Sequence, residues 1–256
     1  MGMTRLTLLS VAAIAATLAV AANDDGSSSA PSYLVSLQLG NYTKLTGVLI
    51  APRYVLTSAH GGIKANWASI GPANSRDNEQ IAVKSMYFHP QFNNYTLEFD
   101  VAIMELDRPS THTPATLSFD AVAPNTPTTV RGFGDFEGVE SKSSTTKVYS
   151  THGTVMSSVH CAAIDNIALY PDMMCIVGAH LCGSGNTGSP LTVVRDGREV
   201  VVGLASWYFQ KCNREFTVYT RLITAKSFLD PYLPMLDGCA TSAFVRPQLR
   251  FALPLE

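Results

Sequence analysis

Three short stretches of this chain carry residue types that can do chemistry together. "VLTSAH" ends at His60, directly after a strongly apolar run. "FDVAIMEL" holds Asp100 at the mouth of another. "GNTGSPL" holds Thr187 in a glycine-rich turn ahead of a third. Nucleophilic acyl transfer needs a hydroxyl, an imidazole to take its proton, and a carboxylate to hold the imidazole's tautomer. Each residue alone is weak. A lone histidine after a strand is more often a satisfied structural residue, and an aspartate near a strand start is usually a cap or turn residue. The order histidine, aspartate, hydroxyl along one chain makes the three a candidate set.

Such residues need rigid elements to position them. The runs "YLVSLQLG", "KLTGVLI", "YVLTSA", "VAIMEL", "KVYSTHGTV", "PLTVV", "EVVVGLASW" and "FTVYTRL" read as strands, being β-branched, apolar and bounded by Gly, Pro and Asn clusters. "ITAKSFLDPYLPML", residues 223–236, is predicted as one C-terminal helix whose extent Pro231 and Pro234 limit. Many short strands separated by turn signals imply an all-β sandwich or barrel. No internal repeat is visible.

The length of 256 residues, 46% of them hydrophobic and 15% charged, suffices for one large domain or two small packed barrels. Eighteen Lys and Arg against twenty Asp and Glu give a net charge of -2, and no basic run stands out, so nucleic acid is not an expected partner. Residues 1–22 read as a signal peptide: Arg5, then the alanine-rich "LTLLSVAAIAATLAVAA", with Ala19-Val20-Ala21 as a small-residue cleavage site. The stretch is short and followed by acidic rather than basic residues, which favours export over a membrane anchor. The chain is therefore expected to be secreted and extracellular, with no membrane attachment after cleavage. A Ser-rich linker is expected over 23–31, a domain over 32–238 and a surface tail over 239–256. The five cysteines, Cys161, Cys175, Cys182, Cys212 and Cys239, all lie in the second half. In an oxidising environment most should pair, and the odd count leaves one over. Asn41-Tyr-Thr and Asn94-Tyr-Thr are glycosylation sequons that agree with export. His89, His112, His152, His160 and His180 show no metal-ligand spacing with cysteines or acids, so neither metal nor cofactor is expected.

Taken in order, the pieces resemble the chymotrypsin/trypsin (S1) serine protease family across nearly the whole mature chain. "TGVLIAPRYVLTSAH" is similar to the family's GGSLI…WVLTAAH segment. "FHPQF" resembles its HPxY turn, "RGFG" its GWG, "GLASWY" its SWG strand, and "CGSGNTGSPL" its GDSGGP nucleophile loop. The resemblance implies two six-stranded antiparallel barrels with a C-terminal helix and a site in the crevice between them. It puts His60, Asp100 and Thr187 at the triad positions and makes Gly185 and Thr187 the oxyanion donors. It places His180, Ser206, Trp207, Tyr208 and Thr217 around the specificity pocket. It also implies bridges Cys161–Cys175 and Cys182–Cys212, with Cys239 unpaired. The family bridge that staples the histidine loop is missing at both ends, where Leu45 and Gly61 stand.

Four departures fall in the one site. Thr187 replaces serine, and its β-branch restricts χ1 and adds a methyl group. Being internal, it has no amino terminus of its own to act as base. Asn186 replaces the aspartate that pairs with the family's freed amino terminus, and no Ile-Val-Gly-Gly occurs upstream of "SYLVSLQ". Gly183 and Ser184 make the loop one residue longer than usual, although Gly188 and Pro190 keep the register that singles out Thr187 over Ser184 and Ser189. His180, Tyr208 and Thr217 stand where trypsins have an aspartate and two glycines, and should fill the pocket. These losses favour a protein that binds rather than cuts. The oomycete glucanase inhibitor proteins are similar in sharing the fold and the degenerate site; the resemblance implies a secreted protein partner such as a host endoglucanase and a role in virulence. The competing expectation is a live endopeptidase using Thr187 with His60 and Asp100.

Overall fold

In the computed structural model the described residues are 31–40, 42–61, 65–71, 76–134, 148–164, 167–179, 185–207 and 216–234. Twelve strands alternate with turns: β1 Leu34–Leu39, β2 Tyr42–Ala51, β3 Tyr54–Thr57, β4 Trp67–Ile70, β5 Glu79–Phe88, β6 Ala102–Leu106, β7 Pro127–Gly132, β8 Tyr149–Val155, β9 Met173–Val177, β10 Pro190–Arg195, β11 Arg198–Trp207 and β12 Phe216–Arg221. Every pairing between them is antiparallel. They close into two six-stranded barrels, β1-β2-β3-β6-β5-β4 and β7-β8-β9-β12-β11-β10. The strand order is the same in both, so the architecture is duplicated although the sequence shows no repeat. Closure removes the open sheet edges that would otherwise invite aggregation.

Local chemistry sets several of these turns. β10 and β11 are joined by the two residues Asp196 and Gly197, both at positive φ (49° and 72°), the geometry a tight hairpin of matching twist requires. The helix α1, Ser158–Ala163, starts where Ser157 accepts the His160 N–H at 3.2 Å, satisfying a donor that the first turn would otherwise leave free. α1 was not foreseen, being too short for a 3.6-residue pattern. The predicted C-terminal helix is shorter than 223–236: α2 covers Leu222–Leu229, and a 3₁₀ turn follows over Asp230–Tyr232. Pro231 has no N–H to continue the helix, so the chain tightens there. Strands β4, β5, β7 and β9 also went unread; β5 mixes Glu79, Lys84 and Ser85 among its apolar residues.

Each barrel has its own apolar interior. Leu37, Leu49, Met104 and Leu106 fill the first; Val130, Ile176, Leu191 and Tyr219 fill the second. A third cluster joins the two. Val48, Ile50, Leu56 and Ile103 from the first barrel meet Val201 and Leu204 from the second, and α2 covers them with Leu222, Ala225 and Leu229. Each such buried side chain contributes about 1.5–3 kcal/mol relative to exposure. The cluster fixes the barrels relative to each other, and the seam between them is where the chemistry-bearing residues meet.

Tyr219 is fully buried in the second interior, and its hydroxyl finds no hydrogen-bond partner among the described residues. Burial pushes its pKa well above the usual tyrosine value. A buried donor without a partner costs about 1–3 kcal/mol. Tyr219→Phe should therefore leave the unfolding free energy unchanged or raise it by about 1 kcal/mol, as read by urea denaturation. A marked loss of stability would reveal a partner for that hydroxyl.

Candidate active site

The site is organised around Asp100, which lies just before β6 and is completely buried. His60, two residues beyond Ser58 on the turn after β3, gives Nδ1 to Asp100 Oδ2 at 2.7 Å and its backbone N–H to Oδ1 at 2.8 Å. Ser58 Oγ donates to Oδ2 at 2.8 Å. Ser206, near the end of β11 in the other barrel, donates to the same oxygen at 2.6 Å. A carboxylate can only accept, so the neutral imidazole carries its proton on Nδ1 and leaves Nε2 as the free base. The His60 side chain is 28% exposed, so it reaches solvent at the crevice. Burial works to raise the Asp100 pKa, but the His60 bond and charge and the Ser206 bond outweigh it and hold the carboxyl below its ordinary value. Ser206 thus belongs to the carboxylate's shell as well as to the strand beside the cleft.

The Gly185–Gly188 loop is docked onto the first barrel by Thr46 of β2. The Thr46 N–H donates to Thr187 O at 2.9 Å, and its hydroxyl donates to Gly185 O at 2.6 Å. Gly188 has φ of 81°, and any Cβ there would run into Thr46 O and Thr57 Oγ1, so only glycine permits this approach. Asn186 turns inward, 1% exposed, and its Oδ1 accepts the Gly134 N–H at 3.0 Å. The loop is therefore anchored by a neutral amide where the family resemblance implied an ion pair. Thr187 is half-buried, and its methyl group faces Gly61: a Cβ on Gly61 would lie 3.1 Å from Thr187 Cγ2 and would overlap Leu45. Leu45 and Gly61 are thus neighbours, and the leucine side chain fills the space between the two backbones. Among the described residues no hydrogen bond joins the Thr187 hydroxyl to His60. Ser189 is fully buried and out of reach of a substrate.

Of the other sequence-predicted residues, Thr217 lies on β12, buried, with its hydroxyl on Ala179 O at 3.2 Å. Trp207 packs on the apolar cluster of Cys161, Met173, Cys175, Phe216 and Val218. The Cys161–Cys175 bridge is formed. Asn94 is exposed in the loop 90–99, where Asn93 Oδ1 accepts the Tyr95 N–H at 2.9 Å. His180, Cys182, Ser184, Tyr208, Phe209, Cys212, Cys239 and Asn41 lie outside the described residues. Sequence reasoning missed Ser58, Thr46 and the inward turn of Asn186. Ser58 had a signal, since it stands where the family segment WVLTAAH has alanine. Among the described residues no helix is long and apolar enough to cross a membrane, and no group of three His, Cys, Asp or Glu side chains could hold a metal.

A family model described as Trypsin matches residues 22–229. The chain belongs to the trypsin family. Glucanase inhibitor protein 4 of Phytophthora infestans is 36% identical over 178 residues, covering 62% of this chain and 67% of that one. Glucanase inhibitor protein 3 of the same organism is 34% identical over 72% of this chain and 76% of its own length. Serine protease 56 of Mus musculus is 31% identical over 80% of this chain but only 37% of its own length. Among solved structures, Kallikrein-related peptidase 10 superposes with a TM-score of 0.65 at 24% identity, covering 79% of this chain and 95% of that one, a likeness of fold.

Two outcomes follow from this geometry. Because the folded Asp100 pKa is below its unfolded value, the folded state binds fewer protons, and its contribution is present above that unfolded value and lost as pH falls through the folded one. Asp100→Asn should therefore cost on the order of 3 kcal/mol near neutrality. The gap to wild type should narrow between about pH 4 and about pH 2, as followed by denaturant titration at each pH. Gly61→Ala should cost about 1–3 kcal/mol by overpacking. Adding Leu45→Ala should recover part of that cost, so the pair should be non-additive in a double-mutant cycle.

Proposed function

We propose that this chain is a proteolytically inactive member of the trypsin family, exported from the cell, that acts by binding another protein, and that the partner is a secreted glycoside hydrolase of the endoglucanase class. The observation that carries the reading is the setting of Thr187. Its methyl group faces Gly61 and Leu45, and its hydroxyl makes no hydrogen bond to His60. A hydroxyl without its base is a poor nucleophile, and losing a triad nucleophile costs on the order of 10⁶ in turnover. The relatives named Glucanase inhibitor protein, at 27–36% identity, support the partner class. Two closed barrels with the loops of the former cleft between them make a rigid scaffold, and loops on rigid scaffolds carry recognition. Residues 1–22 as export signal, glycans at Asn41 and the exposed Asn94, the Cys182–Cys212 bridge and an unpaired Cys239 belong to the same reading.

A second reading is a weak endopeptidase using Thr187. The intact His60–Asp100–Ser206 network favours it, since catalytic hydrogen bonds often tighten only with substrate bound.

The two separate in one experiment. Purified secreted protein is titrated into a panel of secreted endoglucanases, and the mixture is followed by glucanase assay and by gel. The expected result is saturable loss of glucanase activity at about one equivalent with both chains intact. A fluorophosphonate probe should leave Thr187 unlabelled, and Thr187→Ser alone should not create peptidase activity, because Asn186 and Thr217 remain. Labelling of Thr187, or cleavage of the glucanase, establishes the endopeptidase instead. A panel in which no enzyme is inhibited rejects the partner class.

A further inference from the structure

A second buried carboxylate lies in the same seam. Asp172 sits at the entry to β9 in the second barrel and is 2% exposed. Its Oδ2 accepts the Phe99 N–H of the first barrel at 2.7 Å, and its own carbonyl accepts the Arg221 N–H at 2.7 Å. Oδ1 has no hydrogen-bond partner among the described residues. The nearby Arg221 side chain bonds elsewhere: its Nε donates to Met173 O at 2.7 Å and Nη2 to Ser158 Oγ at 3.4 Å. Burial raises the carboxyl's pKa, the Phe99 N–H works against this, and the charges of Glu98 and Asp100 raise it further. Such a group is poorly suited to simple stabilisation of the core, where an apolar residue would serve better.

What Asp172 holds is the turn that delivers Asp100. Leu97 and Phe99 have φ of 58° and 50°, the left-handed region, where a bulky side chain costs of order 1 kcal/mol or more and persists only if the surroundings over-determine it. The Phe99 ring stacks on His89 at 4.6 Å, and Leu97 packs against the cluster around Cys161. The Phe99 N–H, turned inward by that backbone, has the Asp172 carboxylate as acceptor. The next residue is Asp100.

We propose that Asp172 is a positioning residue: from the second barrel it fixes the Phe99 peptide, and through it the Asp100 carboxylate that orients His60. The seam then carries two cross-barrel clasps, Ser206 on Asp100 itself and Asp172 on the residue before it. This holds whether or not the chain cleaves peptides.

The test reads two signals by NMR on the secreted protein. One is the low-field proton of the His60 Nδ1–Asp100 hydrogen bond; the other is hydrogen exchange of the Phe99 amide. Asp172→Ala should speed Phe99 exchange at least about tenfold, since the amide loses its partner, and should shift or broaden the low-field proton. Amides in β1–β4, remote from the seam, should exchange as in wild type. Asp172→Asn keeps a carbonyl oxygen for the Phe99 N–H and removes the charge, so both signals should stay close to wild type. The proposal is overturned if Asp172→Ala leaves the low-field proton unchanged, or if Asp172→Asn disturbs it as much as Asp172→Ala does, which would assign the effect to charge. If Asp172→Ala does not fold, Asp172→Ser, whose hydroxyl is one bond too short to reach, replaces it with the same readings.

Discussion

The seam of this molecule is built around one buried charge. Taking a carboxylate out of water costs several kcal/mol even after relaxation, so Asp100 can exist at zero exposure only if donors replace its hydration. Four donors do: the His60 ring, the His60 backbone, Ser58 and Ser206. Three belong to the first barrel and one to the second. Any slide of one barrel along the other would break the Ser206 bond inside a dry seam. The interbarrel apolar cluster under α2 supplies the attraction that closes the crevice. The carboxylate supplies the geometry, because hydrophobic contact is non-directional and hydrogen bonds are not.

The loop carrying Thr187 meets the same seam by different means. Thr46 takes two of its carbonyls, Asn186 takes the Gly134 N–H, and Gly188 lets the backbone come within contact of Thr57 and Ser58. None of these anchors is charged, and none needs a chain terminus. The place where a bridge would cross is filled by Leu45 against a bare Gly61. The absent bridge and the added threonine methyl are thereby neighbours in one small space. Leu45 alone already occupies the position that a Gly61 side chain would need.

Much of this was legible in the sequence. The alternation of β-branched runs with Gly, Pro and Asn clusters identified eight strands and the barrel class, and the order of the motifs brought His60 and Asp100 together. The missed strands share a physical cause. β5 and β7 carry charged or polar residues on faces turned to solvent, and β9 is only five residues long, so neither period nor propensity marks them. The predicted helix overran because a proline ends hydrogen bonding where local periodicity continues. Donors to Asp100 were harder to read. Ser58 and Ser206 lie 42 and 106 residues from it in sequence. Asp172 lies farther still from Phe99 than any local pattern can reach, and nothing about a single aspartate before "MMC" announces a partner in the other barrel.

The burial of Asp100 also limits what a preserved histidine–aspartate pair can say about activity. Once four donors have been built around a carboxylate at zero exposure, removing the carboxylate leaves four donors unsatisfied in a dry seam. Replacing His60 leaves the charge short of its Nδ1 partner. Selection for the fold alone therefore opposes change at both positions. The nucleophile is different. Thr187 is half-buried on the crevice side, its hydroxyl bonds neither His60 nor another described residue, and its backbone carbonyl alone makes the structural bond to Thr46. Its side chain can change without loosening the barrels. In this architecture the hydroxyl is the first member of the triad free to drift when cutting is no longer required, and the acid–base pair behind it is the last. Finding that pair intact beside a threonine is what the energetics of the seam lead one to expect of a chain retained for binding.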